Sequence, residues 1–276
     1  MPLYKNKREY FYDWAEIASI YGAPADCSWG GGRVELSDRD FESALSLTEK
    51  YGISARLTLS NSLLEEEQLS DRRCNKICKA FESAKIKSGV IVASDLLAEY
   101  LLKTYPGLYL VSSTTKVIRD FEGLKAELNR AEFSYVVPDI IFNGKPEKLA
   151  SLTDAQKSKI ELLCNECCPP NCQARKACYE NVSRKNLGLP TIEYHCPSVG
   201  NSGGYRFSKA MESPAFISTD KILNTYLSMG ISNFKIEGRG LGSALILEFL
   251  LYYLTKPEYQ LHVREEIYLD NMLDIF

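Results

Sequence analysis

The sequence is poor in histidine: His195 and His262 are the only two in 276 residues, and no HExxH motif occurs. Histidine-based metallohydrolases and Ser-His-Asp hydrolases are left with few parts. No apolar run reaches about 18 residues, the length a membrane-spanning helix requires. The opening residues, Met1-Pro2-Leu3-Tyr4-Lys5-Asn6-Lys7-Arg8, hold no apolar core of signal-peptide type. A strong charge of either sign is missing too. The net charge of −3 gives no general attraction to nucleic acid, although a local basic rim would not register in that sum. Repeats and low-complexity tracts are also absent. These absences point to a cytosolic, soluble protein with no membrane partner. Thiols stay reduced in that compartment, so the nine cysteines argue for metal or redox chemistry over a disulfide framework.

Apolar, β-rich runs alternate with longer amphipathic ones, with no obvious linker. Strands are expected at 25–29, 53–59, 89–93, 108–112, 133–137, 159–164, 215–218 and 233–237. Helices are expected at 37–51, 63–87, 95–104, 121–130, 173–185 and 220–229, and a C-terminal one at 240–254. Ser37 and Asp38 read as an N-cap and Gly52 as a helix stop. The segment 186–213, with Pro190, Pro197, Gly200, Gly203 and Gly204, has no period and reads as a long loop over one end of the fold. The alternation predicts an α/β fold, a (β/α)8 TIM-type barrel, complete or distorted, formed by one domain over 1–276 with a Cys-rich loop at the C-terminal face of its strands. An open doubly wound sheet is the rival.

In such a barrel, chemistry sits at the C-terminal strand ends. The residues there are Arg33, Asn61, Ser94 with Asp95, 112–116, Asp139 with Asn143, Asn165 with Glu166, and Glu237 with Arg239. Helix capping accounts for Ser94, Asp95, Thr114 and Thr115. Glu166, Lys235, Glu237 and Arg239 are candidates for a site.

Six cysteines fall between Cys164 and Cys196. Cys168-x3-Cys172 is the firmest pair, because Pro169, Pro170 and Asn171 favour a tight turn that brings both sulfurs to one side. Cys178 follows on a helix and Cys196 returns from the long loop, while Cys164 and Cys167 are doubtful ligands. Four thiolates suit tetrahedral zinc or a 4Fe-4S cluster. The lack of regular CxxC pairs favours iron-sulfur. Cys27 or His195 could replace one of the four. Cys74 and Cys78, one helical turn apart with Ile77 and Phe81 nearby, read as core residues.

The run Asn165-Glu166-Cys167-Cys168-Pro169-Pro170-Asn171-Cys172-Gln173-Ala174-Arg175, then Tyr179, and the later Phe234-Lys235-Ile236-Glu237-Gly238-Arg239 resemble the collagenase-like peptidase family, peptidase family U-thirty-two. Within it, the likeness is to the iron-sulfur branch related to oxygen-independent ubiquinone and RNA hydroxylation proteins. The similarity continues upstream through 53–61 and 109–113, so it covers most of the chain. It implies a TIM-type barrel, an oxygen-sensitive 4Fe-4S cluster held by four cysteines, and a redox role, with some relatives drawing on prephenate. Two departures stand out. Where many short relatives carry a His-Tyr pair, this chain has Cys178-Tyr179, which makes Cys178 a ligand of this branch. The extra C-terminal domain of longer relatives is absent, which weighs against a macromolecular substrate.

The expected function is therefore an iron-sulfur oxidoreductase of hydroxylase type, acting on a small molecule or a nucleic acid. Cys168, Cys172, Cys178 and Cys196 would hold the cluster, Glu237 and Glu166 would handle protons, and Arg239 and Lys235 would bind an anionic group. The alternatives are a metal-dependent peptidase or hydrolase, and a non-catalytic iron-sulfur or zinc partner subunit. An electron donor and a homo- or heterodimer are compatible with each.

Overall fold

The computed structural model describes residues 2–24, 27–31, 35–36, 38–166, 168–192, 207–238 and 242–273. Eight strands follow in order: β1 (Ser19–Pro24), β2 (Glu35–Leu36), β3 (Ser54–Leu59), β4 (Gly89–Val92), β5 (Tyr109–Ser112), β6 (Phe133–Val136), β7 (Glu161–Leu163) and β8 (Asn233–Lys235). Every strand pairing is parallel. One sheet runs β2-β1-β3-β4-β5-β6 and a second pairs β7 with β8, with a bridge between Val136 and Ile160 joining them. The protein is thus an α/β fold built on parallel strands. Among the described residues no ladder joins β8 to β1, and the Tyr21 hydroxyl donates to the Ile236 carbonyl at 2.8 Å across that seam.

β3, β4, β5 and β7 bury both faces, as parallel strands flanked by helices do. Alternation assigns the faces. Leu57, Leu59, Val90, Val92, Leu110 and Leu162 pack into the large core shared with the helices. Ile91, Val111, Val137 and Leu163 form a smaller cluster on the opposite face, against Tyr21, Tyr109 and Tyr135. In the same layer as those tyrosines lie the buried charges Arg56, Glu161 and Lys235. Gly89 makes room there, because a Cβ on it would come within 2.4 Å of the Tyr109 ring.

Most expected elements form within a residue or two of their expected bounds, and Gly52 ends the helix Asp38–Tyr51 with a φ of 69°. Ser37 lies outside the described residues. The segment expected as a loop over 186–213 contains the helix Phe207–Met211, and four further expectations need correction. The first strand is Ser19–Pro24, and residues 27–31 form a turn closed by the Gly30 N–H donating to the Cys27 carbonyl. The helix expected over 63–87 is divided into a 3₁₀ turn, Glu66–Ser70, and an α-helix, Arg72–Glu82, because the Asp71 carboxylate accepts from the Arg73 and Cys74 N–H groups and starts a new helix. Residues 215–218 are not a strand. β7 already pairs with β8, so this segment contributes single bonds such as the Ile217 N–H to the Cys164 carbonyl. The helix expected over 220–229 forms as Thr219–Lys221 followed by a π-helical stretch, Ile222–Leu227. No helix among the described residues is long and apolar enough to cross a membrane.

Candidate functional site

The C-terminal ends of β6 and β7 carry a dense polar cluster. The Asp139 carboxylate caps the turn Ile140–Gly144 by accepting from the Ile141 N–H. Asn143 then donates to the carbonyls of Leu163 and Ala215, each at 2.7 Å, which fastens that turn to the end of β7. From the first turn of the helix Arg175–Asn186, Arg175 reaches back under the Cys168–Cys172 loop. Its guanidinium lies 3.4 Å from Asp139 and 3.4 Å from Glu166, with all three side chains buried. The Cys168 N–H donates to Glu166 Oε1 at 3.1 Å, so Glu166 connects the arginine to the cysteine loop. Asn165 serves the neighbouring strand, donating to the Glu237 carbonyl and accepting from its N–H at 2.7 and 2.6 Å.

The turn expected within the cysteine run is present: the Cys172 N–H donates to the Pro169 carbonyl at 3.0 Å, and Arg119 donates to the Cys172 carbonyl. Cys168 packs on the apolar cluster that includes Val137 and Leu163. Burial pushes its thiol up to about 11 against the pull of Arg175, and negative charge at Glu166 and Cys172 raises it further. Cys178 is half-buried on the following helix. Cys164 is fully buried, and burial pushes its thiol far above the ordinary range, in keeping with its standing as a doubtful ligand.

A four-thiolate centre needs more than this pair. Among the described residues no three Cys, His, Asp or Glu side chains converge on one point. Cys196, Cys167, His195, Arg239 and Arg33 lie outside the described residues. The described residues thus fit a thiolate-bound group in part: they supply two thiols on one loop and a buried cation, and do not complete the set. Cys27 does not join it. It is joined to Cys74 in a disulfide, so thiols are not all reduced as the sequence suggested, and Cys74 and Cys78 are buried as expected of core residues.

Lys235 belongs to a different place. Its Nζ lies 3.6 Å from Glu161 Oε1 and 3.7 Å from the centre of the Tyr21 ring, in the charged layer between the strands. Arg56 pairs with the other Glu161 oxygen, donates to the Tyr109 hydroxyl at 2.9 Å and lies over the Tyr135 ring. A cavity of about 680 Å³ opens along the seam between β1 and β8 and reaches this layer. Of the strand-end residues read as caps, Ser94 does cap, accepting from the Leu97 N–H; Asp95 instead pairs with Lys116 and Arg130, and Ser113, not Thr114 or Thr115, caps the turn Thr114–Lys116 by accepting from the Thr115 N–H.

Asp139 and Glu161 were visible in the sequence only as polar residues in or beside strands, and Arg175 only as part of a motif. Gly200-Asn201-Ser202-Gly203-Gly204 spells a GxSxG pattern, but it too lies outside the described residues.

No family model matches the sequence. No curated protein matches it either. Among solved structures, that of the U32 peptidase Mk0906 is similar at a TM-score of 0.48 and 15% identity, over 64% of this chain and 73% of that one. A likeness at that level carries no argument, so the functional reading rests on the residues of this chain.

Proposed function

We propose that the chain is a single-domain (β/α)8-type barrel that holds a thiolate-bound cofactor, 4Fe-4S in the first instance and zinc in the second, at the C-terminal ends of its strands. The barrel reading draws support from parallel strands that run in chain order from β3 to β6, with β1 beside β3 and β2 on its outer edge, and from the Tyr21 to Ile236 contact across the seam. Cys168 and Cys172 would be two of the ligands, with Cys178 and Cys196 completing the set. The observation that carries the reading is the pairing of Cys168 and Cys172 on one tight turn above a buried Arg175. When bound, such a cluster supplies one-electron chemistry. The chain's own residues have separate tasks. Glu166 holds the Cys168 backbone, and Arg175 works against the larger effect of burial, pulling Cys168 toward the thiolate that a metal binds. The proposed activity is redox modification of a small molecule or nucleic acid, with Glu237 as the candidate proton carrier beside β8.

Anaerobic purification followed by iron and sulfide analysis tests the proposal. The expected protein is brown, with broad visible absorption that Cys168→Ser or Cys172→Ser removes. A colourless protein loaded with zinc would overturn the redox reading and leave the hydrolase or partner-subunit alternatives.

A further inference from the structure

The seam cavity lies apart from the cysteine loop and has its own chemistry. Its walls are mainly apolar: Ile17 precedes β1, Ile20 lies on it, and Ile246, Leu250 and Leu254 come from the helix Ser243–Leu254. Ile20 is 42% exposed, although a strand in a parallel sheet ordinarily has both faces covered. At about 680 Å³ the cavity is in the range of sites that enclose a small organic molecule. The π-helical stretch Ile222–Leu227 adds Ile222 to the wall, and such turns are rare and gather at functional sites.

Rings set this wall apart from an ordinary apolar surface. Trp14, Tyr21, Tyr135, Phe234 and Tyr253 all reach it, and Trp14 meets Phe234 edge to face with ring centres 6.4 Å apart. A flat aromatic molecule among such rings gains offset-stacked or edge contacts in addition to burial. A flexible aliphatic chain gains the burial alone and loses rotamer freedom on entering.

The charged groups at the inner end are already engaged with one another. Arg56 pairs with Glu161 and lies over the Tyr135 ring, while Lys235 lies 3.6 Å from the same carboxylate and against the Tyr21 ring. An anionic ligand would have to compete with Glu161, and a cationic one would meet Arg56 and Lys235. The exposed charge among the described lining residues, Glu16, is negative and draws no anion in. The walls therefore select an uncharged molecule.

We infer that this cavity is a binding site for an uncharged aromatic molecule, received among the rings of Trp14, Phe234 and Tyr253 between β1, β8 and the helix Ser243–Leu254. The inference does not rest on the thiolate reading, since no proposed cluster ligand other than the doubtful Cys164 lines the cavity.

Calorimetric titration of the full chain at neutral pH with 2-naphthol, 2-naphthoate and 1-octanol tests it. Naphthol is expected to bind saturably and about ten-fold more tightly than either of the others. Phe234→Leu, which keeps an apolar side chain and removes the ring, is expected to weaken naphthol about three-fold and to leave octanol unchanged. Leu250→Trp, which fills the cavity and leaves the charges in place, is expected to weaken naphthol about ten-fold. Cys168→Ser is expected to bind naphthol as the wild type does, so a failed thiolate reading would leave this result untouched. Equal affinities for naphthol and octanol in the wild-type chain, tighter binding of naphthoate than of naphthol, or no saturable binding of naphthol would overturn the inference without recourse to any variant.

Discussion

Arg175 and Asp139 form an ion pair, Nε to Oδ2 at 3.4 Å, with the side chains only 2% and 0% exposed. The same guanidinium faces Glu166, so one cation offsets two buried carboxylates. Arg175→Ala would take the guanidinium away from both carboxylates, and breaking a buried pair in this way costs about 3–5 kcal/mol. Urea unfolding should show a loss of that size. Arg175→Lys should recover only part of it, because an ammonium cannot present a planar fork to two carboxylates at once. A loss below about 1 kcal/mol for the alanine variant would mean that the cluster is hydrated and does not hold the loop.

Glu161 sets the acid limit of the charged layer. Burial alone would raise its carboxyl, but Lys235 and Arg56 outweigh burial and hold it below its ordinary 4.5. The folded state therefore prefers the ionised form more than the unfolded chain does. That stabilisation is fully present above 4.5 and is lost as pH falls through the lowered folded value. Glu161→Gln should flatten the fall in unfolding free energy below that point. At neutral pH it should cost about 3–5 kcal/mol, since Arg56 and Lys235 lose their shared carboxylate. An unchanged acid slope in the variant would assign the pH dependence to other groups.

Much of the fold could be read from local pattern. β4 and β5 are short, mainly apolar runs bounded by turn residues, the form that strands buried on both faces take, and β3 and β6 alternate apolar with polar residues. β1 escaped because Gly22 and Pro24 are turn residues by composition, although a proline at the end of a strand loses little by lacking an N–H. The break at Asp71 was available as a capping residue before an amphipathic run. The turn around Cys168 and Cys172 was legible because its geometry is local. The partners of the buried charges were not. Arg56 and Glu161 are 105 residues apart in the chain, and no periodicity encodes such a pairing.

Gly89 and Tyr109 offer a test of packing in the same layer. A Cβ at Gly89 would lie 2.4 Å from Tyr109 Cε2 and 2.5 Å from Cζ. The ring cannot swing aside cheaply, because its hydroxyl is bonded to Ser54 Oγ at 2.7 Å and accepts from Arg56 Nε at 2.9 Å. Gly89→Ala should therefore cost about 1–3 kcal/mol by overpacking. In a Tyr109→Leu background the same substitution should cost far less, giving a clear coupling energy in a double-mutant cycle. Equal costs in both backgrounds would place the strain elsewhere.

The disulfide between Cys27 and Cys74 separates the structural thiols from the proposed ligands. It ties the turn after β1 to the helix Arg72–Glu82 across 47 residues, and Ser28 adds a hydrogen bond to Asp71 at 2.7 Å beside it. Closing a loop of that length reduces the freedom of the unfolded chain by an amount worth about 4 kcal/mol in the chain-entropy view. Cys74→Ser, or reduction of the wild-type chain, should lower stability by about 2–4 kcal/mol, and peptide mapping without reductant should recover the Cys27 and Cys74 peptides linked. The iron content proposed for the Cys168 and Cys172 loop should be unaffected. If Cys74→Ser instead lowered the iron content, Cys74 or its partner would be a ligand, and the division between structural thiols and proposed ligands would fail.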